Sequence, residues 1–272
     1  MQQFSLSPSA LVSSLWQHRD LVKVLTQRDV VGRYKGSSLG LLWSFFNPLF
    51  MLAVYTFVFS VVFQAKWGQG NDSQGEFALL LFAGLIVFNF FSECVNRAPT
   101  LILNNVSYVK KVVFPLEILP WVSIGSALFH TLVSLGVWLL FYMLLFGVPQ
   151  PTVLLFPLVF IPVILLTAGL SWFLTALGVY VRDIAQVVSL LTTMMMFLSP
   201  IFYPIEALPE EFQPLLLLNP LTPSLGDVRG VLMWGQVPNW QAWFSYLVGC
   251  GLVAWVGFAW FQKTRKGFAD VL

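Results

Sequence analysis

The sequence predicts an all-α integral membrane protein with six transmembrane helices and both termini cytoplasmic. Three observations predict it. The 272 residues are 58% hydrophobic and only 10% charged, against ~25% charged in ordinary soluble domains, and mean hydropathy is +0.81. Six segments carry the ~20 apolar residues that cross a ~30 Å hydrocarbon core as a helix. Lys and Arg fall between those segments with a strong bias to one side, the asymmetry that orients membrane proteins.

The predicted spans are residues 39–63, 77–95, 116–146, 152–181, 184–203 and 240–261. The third and fourth exceed the length needed, so they are expected to tilt or bend. Pro120, Pro157 and Pro162 are the expected bend points. With both termini on one side, that side collects 12 of the 14 Lys and Arg residues. Lys66 and Arg229 remain opposite. Asp72, Glu76, Glu206, Glu210, Glu211 and Asp227 also fall on the outer side.

Three stretches do not span. Residues 8–27 place Leu11, Leu15 and Val22 on one helical face, with Ser14, Gln17, His18 and Asp20 elsewhere, as in a helix lying flat on the inner leaflet. The first 30 residues lack the charged, apolar and small-residue regions of a signal peptide, so the N-terminus is expected to be retained. Residues 97–115 are too polar in the middle to cross and read as one or two short cytoplasmic helices. Residues 204–239 hold the apolar run Leu215–Leu218, broken by Pro209, Pro214, Pro220 and Pro223. Broken helices at membrane depth need protein or water to satisfy their ends, so a re-entrant hairpin on the outer side is expected. The whole chain reads as one transmembrane domain, 1–272, without internal repeat.

Several chemistries lack their residues. The stretch GLSWF at 169–173 misses the second glycine of a nucleophile elbow. His130 and Ser134 are one turn apart, but small polar residues on membrane helices generally serve packing. Two histidines and two cysteines, Cys94 and Cys250, suggest neither a metal site nor a disulfide framework; the cysteines read as small buried hydrophobes. Ion-coupled carriers keep ionisable groups at mid-membrane, whereas Glu93, Arg97 and Glu117 sit at the inner span ends and His130 alone lies deep. Glu93 and Arg97 are spaced as an i,i+4 pair. The dipeptide Gly-Lys never occurs, so no phosphate-binding loop is present. Net charge is +2, and no nucleic-acid partner is expected. No cofactor is expected in this chain, so energy for any active transport must come from a partner docked on the cytoplasmic face. Of the 11 Trp, Trp67, Trp234, Trp240, Trp243, Trp16 and Trp260 suit interfacial belts; Trp43, Trp138, Trp172 and Trp255 lie within spans.

A motif precedes the first span. R-D-x-x-x-R-Y-K-x-S-x-L-G-x-x-W is met by Arg28, Asp29, Arg33, Tyr34, Lys35, Ser37, Leu39, Gly40 and Trp43, with Pro48 following. It resembles the N-terminal signature of ABC-2 type permeases that export bacterial surface polysaccharides: O-antigen, teichoic acid and group 2 capsule exporters. VKKVVFPLEILP (109–120), SPIFYP (199–204) and LNPLTP (218–223) extend the resemblance over nearly the whole chain. It implies a homodimer in the bacterial inner membrane, bound to two copies of a cytoplasmic ABC ATPase that carries ATP and Mg. Residues 8–27 become an interface helix, 97–115 a coupling region, and 204–239 outer gate helices. Coupling is expected at Asn104, Asn105, Tyr108, Lys110 and Lys111. The path is expected along the first and fifth spans, at Trp43, Tyr55, Phe59, Met194, Phe197 and Tyr203. The implied substrate is a glycan on undecaprenyl pyrophosphate, whose anionic headgroup would meet Arg28, Arg33, Tyr34 and Lys35 through charge-assisted hydrogen bonds. Asp29 is placed to hold Arg33, and Gly36 and Gly40 to allow close backbone approach. The bland alternative for these cations is inner-leaflet anchoring on anionic membrane lipids.

O-antigen is the first expectation, and capsule (with a periplasmic adaptor) or teichoic acid the alternatives. A membrane-embedded glycolipid-modifying enzyme, needing Glu93, Glu117 or His130 in a cavity, is the reading from another class. An ABC-2 exporter of drugs or lipids is the third.

Overall fold

A computed structural model describes residues 5–62, 67, 74–109 and 114–272. Lys66, Lys110, Lys111 and the side chain of Phe59 lie outside the described residues. All regular structure among the described residues is helical: α1 (Pro8–Gln17), α2 (Arg19–Tyr34), α3 (Trp43–Tyr55), α4 (Gln74–Arg97), α5 (Val106–Val109), α6 (Leu119–Phe146), α7 (Phe156–Tyr180), α8 (Ile184–Phe197), α9 (Gln213–Leu217), α10 (Thr222–Leu232), α11 (Trp240–Thr264) and α12 (Phe268–Val271).

Among the described residues, five helical stretches are long and apolar enough to cross a membrane: Gly40–Val58, Gly75–Thr100, Leu116–Phe146, Pro151–Tyr180 and Trp240–Val271. The expected fifth span differs. Its helix, α8, has 14 residues, or ~21 Å at 1.5 Å per residue. The chain then turns through Ser199 and Pro200, where the helix loses its regular bonds. Asn219 closes this turn, its amide donating to Ser199 Oγ at 2.7 Å and to Leu198 O at 3.2 Å. The protein is thus a multi-pass helical bundle, with five full-length apolar helices and one shorter one among the described residues.

The N-terminal segment also departs from expectation. Instead of one helix over 8–27, α1 ends at Gln17 and α2 runs on to Tyr34. His18, with φ −106° and ψ 16°, makes the break. Gly36 (φ 90°) and Gly40 (φ 52°) then turn the chain into α3. A Cβ at either would meet nothing within 4 Å, so these glycines supply left-handed backbone rather than close approach. The three expected bend points divide by position: Pro120 and Pro157 occupy the first turns of α6 and α7, where a missing N–H breaks no helical bond, whereas Pro162 is interior to α7, as Pro48 is to α3. Beyond α3 the helix widens to a π-helix over Thr56–Val62.

α4 forms the centre. In its membrane-length window 83% of residues are buried, against 11% for the first span. It packs against α6, α7, α8 and α10. Trp138 from α6 reaches it by donating Nε1–H to Leu79 O at 3.0 Å. α7 and α11 cross at two glycines: a Cβ at Gly257 would lie 2.0 Å from Gly169 O, and one at Gly169 would lie 2.4 Å from Val253 O. Absent side chains let these backbones touch, the usual means of tight packing between membrane helices. Cys94 and Cys250 are free and buried.

α1 and the last turns of α11 lie at one end of the bundle. Trp255 Nε1 donates to Leu6 O at 2.9 Å, and Arg265 donates to Glu117 Oε2 at 2.5 Å and to Phe114 O at 3.0 Å. The segment after α4 is strapped beside them. Thr175 Oγ1 donates to Ala98 O at 3.0 Å, and a Cβ at Gly178 would fall 2.0 Å from Pro99 O.

Candidate functional site

The charges before the first span form a lattice with the C-terminal end of α4. Asp29 and Arg33 lie one turn apart on α2, as do Glu93 and Arg97 on α4. The closest pairs cross between the helices. Arg97 donates to both Asp29 oxygens, at 3.0 and 2.8 Å, and Arg33 pairs with Glu93. The i,i+4 contacts are longer, 3.8 Å for Asp29–Arg33 and 3.9 Å for Glu93–Arg97. Asp29 therefore braces α4 more directly than it braces Arg33. Burial works to raise the Asp29 carboxyl, but the hydrogen bonds and charge of Arg97, with Arg33 behind, hold it below the ordinary value. His130 extends the lattice into α6, with Nδ1 3.8 Å from Glu93 Oε2 and Nε2 3.4 Å from Tyr34 Oη. Burial pushes the Tyr34 phenol up, with Arg33 pulling against it.

The remaining headgroup candidates divide. Arg28 turns toward the segment after α4 and donates to Tyr108 Oη at 2.8 Å. The structure thereby joins a headgroup candidate to a coupling candidate. Tyr108 stacks on Phe114 with centroids 4.2 Å apart. Asn105 donates to Leu101 O at 2.9 Å, while Asn104 and Lys35 are exposed.

Above the lattice, a cavity of ~360 Å³ opens between α3, α4 and α6. Ser44, Asn47, Met51 and Tyr55 face it from α3, Phe82, Leu85 and Asn89 from α4, and Ser134 from α6; Arg33, Glu93 and His130 close its end next to the lattice. Ser134, which sequence reasoning gave to helix packing, lines open space instead.

The path candidates meet through a residue the sequence reading missed. Phe202 lies 6.1 Å from Tyr55 and 6.0 Å from Phe197, centroid to centroid. Tyr203 Oη donates to Phe197 O at 2.8 Å. Trp43, Met194 and Phe197 are exposed on the bundle surface.

Arg229 is the other miss. Counted as an outer-side charge, it is only 3% exposed. Its guanidinium donates to Leu80 O (3.0 Å), Pro200 O (2.6 Å) and Ile201 O (2.8 Å), and its carbon lies 4.1 Å over the Trp67 ring. It joins α10, α4 and the turn after α8. Gly84 makes room, since a Cβ there would fall 2.6 Å from Nη2. The available signal was a single cation inside an apolar, glycine-flanked helix, GDVRGVL. Among the described residues, no group of three or more His, Cys, Asp or Glu could hold a metal ion.

These features define a multi-pass helical membrane protein whose charges knit a pre-span helix to the C-terminal end of α4. Residues 20–233 match the family described as ABC-2 type transporter, and the chain belongs to that family. It is 29% identical over 262 residues to an O-antigen export system permease protein of Myxococcus xanthus, covering 96% of this chain and 98% of that one. A Klebsiella pneumoniae O-antigen export system permease protein is 28% identical, covering 93% and 95%. A polysialic acid transport protein of Escherichia coli is 24% identical, covering 90% and 93%.

Proposed function

We propose that this chain is the permease of an ATP-driven exporter of lipid-linked surface polysaccharide, O-antigen in the first place. One observation carries the reading: the end-to-end similarity to O-antigen export permeases, 29% over 96% of the chain. Polysialic acid and capsule relatives stand at 24% and 22%, which makes capsule the second choice. In this reading the chain works as a homodimer in the inner membrane, with both termini cytoplasmic, and two copies of a separate ABC ATPase supply the energy.

The lattice supports a route for that energy. The ATPase docks on 97–115, the segment that Arg28 joins to α2 through Tyr108 and that Thr175 joins to α7. A push on it reaches α2 through Asp29–Arg97 and α4 through its own C-terminal end. The path lies along α3 and α8, with Trp43, Tyr55, Phe59, Met194, Phe197 and Tyr203 beside it, and 204–239 gates its outer end. The substrate's pyrophosphate meets Arg28, Arg33, Tyr34 and Lys35 at the inner leaflet. Lys35 has no ion pair among the described residues, so it offers the pyrophosphate the readiest charge; Arg33, neutralised by Glu93, orients it.

The test is deletion and complementation. Cells lacking the chain should lose surface glycan and retain lipid-linked glycan inside, and the chain together with its ATPase should restore export. Normal surface glycan in the deletion strain, or substrate turnover by the purified chain alone, would overturn the reading.

A further inference from the structure

A further cavity, of about 570 Å³, opens on the flank of α2 that faces away from the lattice. Lys23, Gln27, Val30 and Val31 line it from α2, Leu41 from the turn into α3, and Phe129 from α6. At ~100° per residue, the four α2 positions share one arc of ~100°. Arg28, Asp29 and Arg33 lie ~110–150° round the helix from the middle of that arc. The groove therefore shares no side chain with the ion pairs or with the cavity above them.

Its polarity changes along its length, and the packing of α2 on α6 fixes the direction. Thr26 stands beside Gly125, where a Cβ would fall 2.8 Å from the Thr26 Oγ1. Tyr34 stands beside His130, with Oη 3.4 Å from Nε2. α2 thus climbs α6 from the start of the apolar stretch Leu116–Phe146 toward its middle. Lys23 and Gln27 mark the shallow end. Val31 lies ~12 Å further along α2, at 1.5 Å per residue, and with Val30, Leu41 and Phe129 it walls the deep end. Val31 and Leu41 are each 47% exposed, so the apolar end opens sideways to the membrane.

The two ends specify one ligand. An ammonium and an amide at the edge of a span are phosphate donors, and the apolar wall leading from them toward mid-membrane takes a hydrocarbon chain. Asp20, one turn before Lys23, is exposed and outside the lining, so the shallow end is no pool of positive charge and suits a single phosphodiester. We propose that this groove binds one glycerophospholipid of the surrounding leaflet, with its phosphodiester on Lys23 and Gln27 and one acyl chain along Val30, Val31, Leu41 and Phe129. The lipid wedges between α2, α6 and the turn into α3, and holds the pre-span helix on the flank that its ion pairs leave free. This site is separate from the basic residues assigned to the exported substrate and does not rest on the exporter reading.

Native mass spectrometry of the full chain, purified in mild detergent, tests this. The parent should retain a glycerophospholipid through detergent washing. Lys23→Ala removes the partner of the phosphate and should lower that occupancy about fivefold. Val31→Trp fills the apolar end and should lower it at least as much. Both side chains are exposed, and the unfolding temperature checks that each variant folds; if Val31→Trp does not, Leu41→Trp takes its place. Lys263→Ala, which removes an exposed cation far along the chain, should leave occupancy unchanged. The proposal needs both losses: unchanged occupancy in either groove variant, or an equal loss in Lys263→Ala, would overturn it. So would a retained mass that is a polyprenyl pyrophosphate, which would give the groove to the exported substrate. Disulfide formation between two Leu41→Cys chains would give it to a second copy and overturn the proposal as well. None of these outcomes bears on complementation of the deletion strain, which tests the exporter reading by itself.

Discussion

Arg97 holds Asp29 with both terminal nitrogens, Nη1 at 3.0 Å from Oδ2 and Nη2 at 2.8 Å from Oδ1. This fork spans 68 residues of sequence and ties the pre-span helix to the central helix. Planar two-point geometry of this kind is specific to Arg. Arg97→Lys keeps the charge and loses the fork. It should lower export severalfold with normal membrane insertion, and reduce stability by about 1 kcal/mol, the low side for a partly exposed charged hydrogen bond. The exchange Asp29→Arg with Arg97→Asp should recover part of both losses. Surface-glycan staining and thermal unfolding in detergent measure the two; an exchange no better than its worse single variant would reject the direct pairing.

The same contact sets a pH dependence. Asp29 titrates below its ordinary value in the folded chain, so its ionised form is the one the fold favours. A depressed carboxylate contributes stability fully above its unfolded pKa, ~3.9, and loses it as pH falls through the folded value. The unfolding temperatures of the parent and Asp29→Asn should therefore differ by a constant amount from neutral pH down to about 4, and converge below. Convergence already at pH 6 would mean that the carboxylate is not held by Arg97.

Arg229 should be among the least replaceable cations. It donates to three carbonyls while buried. Leu80 O keeps its helical partner when the guanidinium is removed, but the Pro200 and Ile201 carbonyls sit in the turn after α8. Each orphaned acceptor costs about 1–3 kcal/mol, so Arg229→Met should destabilise by several kcal/mol and Arg229→Lys by less. Gly84→Ala should act on the same contact, because its Cβ would fall 2.6 Å from the guanidinium. A Gly84→Ala chain with unchanged melting temperature would show that the guanidinium is not fixed there.

The contrast between Asp29 and Arg229 shows what the sequence made legible. Apolar length picked out the five helices long enough to cross, because lipid forces ~20-residue apolar runs to be helical, but it overdrew the fifth expected span, where α8 ends at Phe197. The motif from Arg28 to Trp43 was visible in the sequence, Glu93 and Arg97 stood out as charges at a span end, and His130 as the one deep ionisable group. Their partners did not. The i,i+4 spacing of Asp29 and Arg33 suggested a local pair, whereas the tighter bonds cross to α4, and only the packing of α2 on the bundle decides that. Nor could hydropathy rank the helices by burial. α4 has a mean hydropathy of 2.1 in its window and α7 2.6, yet the share buried is 83% for α4 and 50% for α7, because lipid and protein select the same apolar side chains. Arg229 was misread for the related reason that residue type is counted by loop and not by depth.

The glycines of α11 supply a discriminating final prediction. Gly257 and Gly249 lie on one helix, two turns apart, and composition does not separate them. A Cβ at Gly257 would overlap Gly169 O at 2.0 Å, while one at Gly249 meets nothing within 4 Å. Backbone cannot swing aside as a side chain can, so Gly257→Ala must part α7 from α11, and overpacking of this kind costs about 1–3 kcal/mol or more. Gly249→Ala removes helix-unfavourable glycine and should be neutral or gain up to about 1 kcal/mol. Melting temperatures of the two single variants test the crossing directly. The expected order is Gly249→Ala at or above the parent and Gly257→Ala well below it; equal values would mean that the two backbones do not touch at Gly169.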